Sequence, residues 1–143
     1  MRVLNKKHGG RNSATYIGRP SKWGNPFLIG RDGNRDEVVL KHKLWLLTGN
    51  SFGCADATEP ARQTVISDIR ELRGKDLVCF CAPQKCHGDF LLEMARVTEY
   101  GKITQEGSRC FLSVEELAGD CLTFASFQNA YEWLADYVVG EHV

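Results

Sequence analysis

Two stretches with apolar residues at helical spacing predict two consecutive helices in the first half of the chain. The first is expected to run from an N-cap at Asp36 to a C-terminal glycine, Gly49. The second is expected to start near Pro60, which suits a first helical turn, and to have Gly74 as its C-cap. Within the first helix, His42 is expected at the surface or with a hydrogen-bond partner, and not as a ligand.

Short apolar runs predict the strands. Met1 to Lys7 and Ala14 to Gly18 are the first two candidates. The run from Leu77 to Phe80 is apolar throughout, as in a strand buried on both faces, and Pro83 ends it. A helix is predicted from Phe90 to about Tyr100. The order helix, short turn, buried strand, helix is typical of an α/β domain, so we expect a small three-layer domain with a mainly parallel sheet.

The pattern changes in the last third of the chain, where residues 102–143 form an appended strand and helix segment. Arg109 to Ser113 is a strand candidate, and Ser126 is placed to cap a last helix. This segment carries no cluster of candidate catalytic groups. Because no linker or repeat separates it, we expect one domain over residues 1–143, with the main motifs in residues 1–101.

Composition narrows the setting of the protein. The 143 residues, 43% of them apolar and 25% charged, suit a soluble globular protein with a core of its own. The 18 basic and 18 acidic residues cancel, but bases dominate through Arg35 and acids dominate from Glu99, which indicates one basic face. No run reaches the ~18 apolar residues of a membrane helix, and no signal peptide is expected. Six cysteines without an export signal favour a cytoplasmic protein without disulfides.

The segment from Arg19 to Phe27 contains two prolines and a glycine, which exclude regular structure. Its cations, aromatic ring and polar groups suit a planar, anionic ligand: cations meet phosphate, and an indole stacks on a base. The candidate ligand-binding residues are Arg19, Ser21, Lys22, Trp23 and Asn25. Two alternatives stay open. Trp23 and Phe27 could fill the core instead, and Asn25 could hold the loop by bonding its own backbone.

The segment from Cys79 to Asp89 lies between the end of the buried strand and the start of the next helix. Ligands of open α/β sheets bind at such edges, and a helix N-terminus favours an anion. One interpretation is a zinc site, because thiolate and imidazole are ligands that zinc prefers. The expected set is Cys81, Cys86 and His87, since Cys79 falls within the strand. Against it, adjacent Cys86 and His87 can hardly both ligate one tetrahedral ion.

Two further interpretations of this segment stay open. In one, Cys86 is a nucleophile, because a helix N-terminus stabilises a thiolate and His87 stands beside it. In the other, Asp89 binds or acts at a sugar, Gly88 lets the ligand approach the backbone closely, and Cys81 shapes the pocket. The plainer alternative for Asp89 is that it only stabilises the start of the helix.

The two segments together resemble a known family. GRPSKWGNPF at Gly18–Phe27 and the C-x-C-x-P-x-x-CHGD segment at Cys79–Asp89 are similar to the signatures of the bacterial and phage family called domain of unknown function 4326. The resemblance brings no activity with it. The CHGD loop is also similar to a C-x-E-x-x-x-x-CHR loop in small α/β domains. Such domains resemble Rossmann-like nucleotide-binding folds, including nucleoside deoxyribosyltransferases, which implies a Rossmann-like fold here.

We therefore expect a protein that binds a nucleotide or nucleoside and acts at an N-glycosidic bond, as a hydrolase or a transferase. The expected catalytic residues are Asp89, Cys86 and His87, and zinc is the one cofactor considered. The alternative is a non-enzymatic nucleic-acid-binding or host-interaction module with a zinc-clipped cysteine loop. Arg19, Asn25, Cys81 and Asp89 are expected to line one pocket, and the oligomeric state is left open.

Overall fold

The structure is a computed structural model that describes residues 2–5, 14–80, 84–114 and 121–142. The chain divides into two compact units, Met1–Glu93 and Met94–Val143. That the two make one domain stays a prediction. Among the described residues, no helix has the length and the apolar character needed to cross a membrane.

The described part of the first unit contains a parallel sheet of three strands in the order β1-β3-β2. The strands are β1 Val3–Asn5, β2 Thr15–Tyr16 and β3 Leu77–Cys79. All three residues of the central strand β3 are buried, as its unbroken apolar sequence predicted. β1 and β2 pair with its two edges, so the carboxyl ends of all three strands lie at one edge of the sheet. The predicted parallel sheet is confirmed, within a mixed α/β structure.

Helix α1, Arg35–Thr48, begins one residue before the predicted cap, Asp36. The N-cap is Asn34, and not Asp36, because its side chain accepts the Glu37 N–H while the Glu37 carboxylate accepts the Asn34 N–H. At the other end, the predicted boundary at Gly49 is confirmed, and Gly49 is the C-cap: it has a φ of 81° and donates its N–H to Trp45 O at 2.8 Å.

Helix α2, Glu59–Asp68, starts as predicted, with Pro60 in the first turn and the Thr58 hydroxyl accepting the Ala61 N–H. It ends earlier than predicted, because a tighter 3₁₀ turn, Ile69–Leu72, replaces the last α-helical turn. The C-cap of this turn is Arg73, and the expected cap, Gly74, follows it with a left-handed φ of 75° in the link to β3.

The core of the first unit lies around β3, α1 and α2. Its fully or almost fully buried side chains include Ile17, Phe27, Trp45, Leu46, Val65, Leu72, Leu77 and Leu91. One cation is buried with them. Arg62, 4% exposed, donates to Leu46 O at 3.0 Å and pairs with both oxygens of Glu59, so its charge is compensated. Helix α3, Gly88–Val97, follows β3 and continues across the boundary between the units.

The second unit is built on an antiparallel sheet in the order β4-β5-β6. The strands are β4 Gly101–Glu106, β5 Arg109–Val114 and β6 Cys121–Phe124, followed by helix α4, Phe127–His142. The predicted strand at Arg109 and the Ser126 cap are confirmed, the latter by its hydroxyl accepting the Asn129 N–H. β4 was not predicted. Gly107, with a φ of 61°, makes the two-residue turn of the β4–β5 hairpin.

Candidate metal and ligand site

The two motif segments meet at the side chain of His87. Its Nε2 lies 2.9 Å from Ile17 O, just before the first motif, and 3.0 Å from Trp23 O, within that motif. The expected proximity of the two segments is therefore confirmed. The residue that joins them is His87, for which the sequence predicted a catalytic role. The expected ion pair between Arg19 and Asp89 is not formed among the described residues.

These hydrogen bonds fix the tautomer of His87. Both partners of Nε2 are carbonyl oxygens, which only accept, so Nε2 carries the proton and donates it. In a neutral ring the lone pair is then on Nδ1, which lies 3.6 Å from Cys86 Sγ. Burial lowers the pKa of His87, which favours this neutral form at physiological pH.

Three side chains form a buried group that we call the Cys/His cluster: Cys79, Cys86 and His87. One ligand atom from each lies within 4.8 Å of the others. Cys79 comes from the last position of β3, while Cys86 and His87 stand directly before α3, so a strand end and a helix start bring them together. The cluster could hold a metal ion. Their adjacency in sequence does not keep the ligand atoms of Cys86 and His87 apart, because Cys86 Sγ and His87 Nδ1 lie 3.6 Å from each other.

The expected ligand Cys81 lies outside the described residues, and the cluster contains Cys79 in its place. Alternation along the strand gave the clue, since residues two apart in a strand face the same side. The Gly88 N–H points at Cys86 Sγ over 3.4 Å, a contact that favours a negatively charged sulfur.

A cleft of about 420 Å³ opens beside the cluster, within the range of small-molecule sites. Arg19 and Asn25 of the first segment line it together with Cys79 and His87 of the second. The remaining lining residues are Tyr16, Gly18, Phe27, Leu28, Ile29, Arg35, Val38, Val39 and Phe80. Of the four residues expected to share a pocket, the cleft thus contains Arg19 and Asn25, while Cys81 is not described.

The charge of the lining is one-sided. Among the described residues the lining includes two arginines, Arg19 and Arg35, and no aspartate or glutamate. Arg19 forms no ion pair with any residue that the structure describes, and the Arg35 guanidinium donates a long hydrogen bond of 3.5 Å to Lys85 O. A cleft of this charge favours an anion.

The aromatic surface of the cleft comes from residues that the sequence analysis did not select. Trp23, which was expected to stack on a base, is 3% exposed and belongs to the core with Phe27. The alternative interpretation, in which Trp23 and Phe27 fill the core, is therefore confirmed. Phe80, by contrast, is 51% exposed and meets Tyr16 edge to face, with ring centroids 6.3 Å apart. Both line the cleft. The position of Phe80 at the end of the buried strand, where ligands of α/β sheets bind, could have identified it as a cleft residue from the sequence.

Three polar residues of the first segment have structural contacts. Asn25 accepts the Phe27 N–H at 2.9 Å and donates to Val38 O at 3.1 Å, so it ties the loop to α1 while lining the cleft. The Ser21 hydroxyl donates to Gly18 O at 2.6 Å. Lys22 pairs with Asp68 and Glu71, each at 2.9 Å, and lies outside the cleft lining.

Asp89 and Gly88 also lie outside the cleft lining. Asp89 is exposed in the first turn of α3, and its carboxylate accepts the Cys86 N–H at 3.4 Å, a position that suits a helix stabiliser. Gly88 is buried, and a Cβ there would lie 2.6 Å from Ile17 Cδ1 and 2.9 Å from Val3 Cγ2. What approaches the Gly88 backbone in the structure is therefore the sheet.

A comparison with family models matches residues 3–97 to the family described as Domain of unknown function (DUF4326), about two thirds of the 143 residues. The chain belongs to this family. The matched region holds the sheet β1-β3-β2, the whole cleft and the Cys/His cluster, and it ends where α3 ends. Comparisons with curated proteins and with solved structures found no match.

One residue of the family region departs from its expected place. His42 is 1% exposed, and within the described part of the chain neither of its ring nitrogens has a hydrogen-bond partner. Burial lowers its pKa well below the usual value, so the ring is neutral. The expectation of a surface or partnered histidine is wrong, because α1 packs the side chain beside Trp45 and His87. The sequence contained a signal for this burial, because His42 lies four residues after the apolar Val38 and therefore on the same face of α1.

Proposed function

We propose that the family region binds a nucleotide or nucleoside in the cleft beside the Cys/His cluster. The observation that carries the proposal is the lining of the cleft, which in the described part of the chain has two arginines, an exposed aromatic ring and no carboxylate. Guanidinium groups bind phosphate through paired, charge-assisted hydrogen bonds, and aromatic faces stack on bases. The cleft volume of about 420 Å³ suits a ligand of this size.

In this proposal Arg19 and Arg35 hold the phosphate, and Phe80 takes the stacking role first assigned to Trp23. Asn25 keeps the loop in place through its bonds to Phe27 N and Val38 O. The ends of the parallel strands at one sheet edge support this location, because open α/β sheets bind ligands there. With it we propose a three-layer, Rossmann-like arrangement and a cytoplasmic protein.

Chemistry at an N-glycosidic bond is the finer proposal. In this proposal Asp89 acts at the sugar. Asp89 lies outside the cleft lining, so a ligand would have to extend past the cleft to reach its carboxylate. Binding is therefore the first claim to test. Release of free base from a bound nucleoside monophosphate, lost in Asp89→Asn, would support a hydrolase, and exchange of bases would support a transferase.

Calorimetric titration of the whole protein with nucleoside monophosphates, the matching nucleosides and inorganic phosphate tests the binding. Arg19→Ala and Arg35→Ala should each weaken monophosphate binding about tenfold or more and leave nucleoside binding almost unchanged, since a hydrogen bond to a charged group contributes about 1.5–3 kcal/mol. Phe80→Ala should weaken both. Arg70→Ala, an exposed arginine outside the cleft lining, is the matched control. No binding of any of these ligands at millimolar concentration would overturn the proposal.

The second candidate function is a nucleic-acid-binding or host-interaction module with a metal-clipped loop. The Cys/His cluster is the observation that favours it. Tight binding to duplex DNA that weakens steeply with salt would select this candidate, because phosphate contacts release counterions. Weak DNA binding together with saturable nucleotide binding would select the first.

A further inference from the structure

The Cys/His cluster has the dimensions of a zinc site. With Zn–S of about 2.3 Å and Zn–N of about 2.0–2.1 Å, a tetrahedral ion separates its sulfur and nitrogen ligands by about 3.6 Å. Cys86 Sγ and His87 Nδ1 are 3.6 Å apart, and Cys79 Sγ completes a set in which each ligand atom lies within 4.8 Å of the others. A small movement of the three side chains toward an ion would bring all three ligand atoms to bonding distance.

The groups around the cluster orient the ligands as in known zinc sites. A ligating histidine typically donates its second ring N–H to a backbone carbonyl, which fixes the free lone pair toward the metal. His87 does this with two carbonyls, Ile17 O and Trp23 O. The Gly88 N–H, 3.4 Å from Cys86 Sγ, is an outer hydrogen bond of the kind that supports a bound thiolate.

A thiol–imidazole catalytic pair is the competing explanation of the same contact. A nucleophilic Cys86 would have to reach a ligand, yet it is 1% exposed and absent from the cleft lining, whereas Cys79 and His87 belong to that lining. A metal ion explains all three side chains, and the two of them that line the cleft indicate the direction in which the ion is accessible.

We propose that Cys79, Cys86 and His87 bind one Zn²⁺, and that its fourth coordination position opens into the cleft. Three protein ligands with an open position are the arrangement of catalytic zinc sites, whereas structural sites have four. Zinc supplies a Lewis acid or a bound hydroxide at such a position. Arg19 and Arg35 line the same cleft, so the assignment of a phosphate-bearing substrate to this ion rests on the proposed function, while metal binding does not.

Metal content of the purified protein is the first test. Wild-type protein should carry about one zinc per chain, and Cys79→Ser and Cys86→Ser should each lose most of it. Cys54→Ser is the matched control, because Cys54 is a buried cysteine of the same unit outside the cluster, and it should retain full zinc content. Metal-free wild-type protein, or a Cys79–Cys86 disulfide found by mass spectrometry under non-reducing conditions, would overturn the proposal.

The open position has separate tests. Cys81→Ser should retain zinc; loss of zinc in this variant would mean four protein ligands and would overturn the open position. Wild-type protein reconstituted with Co²⁺ should show visible bands of a tetrahedral thiolate site, and azide should shift them by binding the fourth position. Unshifted bands would likewise overturn it. If azide shifts the bands but nucleoside monophosphates do not, the metal site stands and the proposed ligand fails.

Discussion

The ring of His42 lies edge to face against the ring of His87, with centroids 5.1 Å apart and planes at 77°. His87 has two carbonyl partners, whereas both nitrogens of His42 lack a partner within the described residues, and so does Trp45 Nε1. Buried polar atoms without hydrogen bonds cost free energy of folding. The buried face of α1 thus contributes less to folding stability than a face of the same shape with only apolar side chains.

Replacing His42 by leucine should therefore stabilise the protein. Leu is close in volume, a better helix former, and has no polar atoms to desolvate, so we expect the free energy of unfolding to rise by about 1 kcal/mol. Urea denaturation at pH 7 measures this. His42→Gln keeps unpaired polar atoms at the same position and should bring no gain. A loss of stability in His42→Leu would show that the ring has a polar partner, such as a buried water.

Asn25→Ala should destabilise the loop that lines the cleft. It removes the acceptor of the Phe27 N–H and the donor to Val38 O, and leaves both partners partly buried, so we expect a loss of about 1–2 kcal/mol. Thermal or urea unfolding measures it. Asn50→Ala is the matched control, because Asn50 accepts the Phe52 N–H in the same way but at the surface. Equal effects at both positions would contradict the tie to α1.

Gly88→Ala should destabilise the junction of sheet and helix by about 1–3 kcal/mol, because the new Cβ would lie 2.6 Å from Ile17 Cδ1. Ile17→Val removes that methyl group and should recover part of the loss in the double variant, as a double-mutant cycle would show. Gly140→Ala is the control, since a Cβ there meets nothing within 4 Å and should stabilise α4 by about 0.5–1 kcal/mol. Unchanged stability of Gly88→Ala would contradict the close contact.

Asp32→Asn should lower stability at pH 7 and have less effect in acid. The Leu28 N–H, and then Arg31, hold the pKa of Asp32 below its usual value. A carboxylate with a lowered folded-state pKa stabilises the fold above its unfolded value, about 3.9, and this contribution disappears as the pH falls through the folded value. Urea midpoints from pH 7 to pH 3 should therefore converge for the two proteins. Asp56→Asn, an exposed partner of Arg31 at 3.4 Å, should change little at any pH.

The sequence predicted elements whose signals are local. Gly49 at a helix end, Pro60 in a first turn and the apolar run at Leu77 each act through their own backbone or immediate neighbours. The first N-cap was missed although Asn34 and Glu37 have the spacing of a capping box, and the β4–β5 hairpin was missed although Gly107 marks its turn.

The candidate site was predictable in location but only partly in composition. That the two motif segments lie together followed from their chemistry, and the contact at His87 confirms it. The burial of Trp23, the exposure of Phe80 and the entry of Arg35 into the lining all depend on how segments distant in sequence pack together. Tertiary packing of this kind leaves no periodic signal in one sequence.

The contact at His87 has a consequence for how the two motifs can change in evolution. Both of its acceptors, Ile17 O and Trp23 O, are main-chain oxygens, which every residue type has. The contact therefore requires a specific side chain only at position 87. Drift at positions 17 and 23 is limited by packing, and no substitution there can compensate for the loss of the imidazole. Covariation across an alignment of relatives would therefore miss this link between the segments, however strictly selection maintains it.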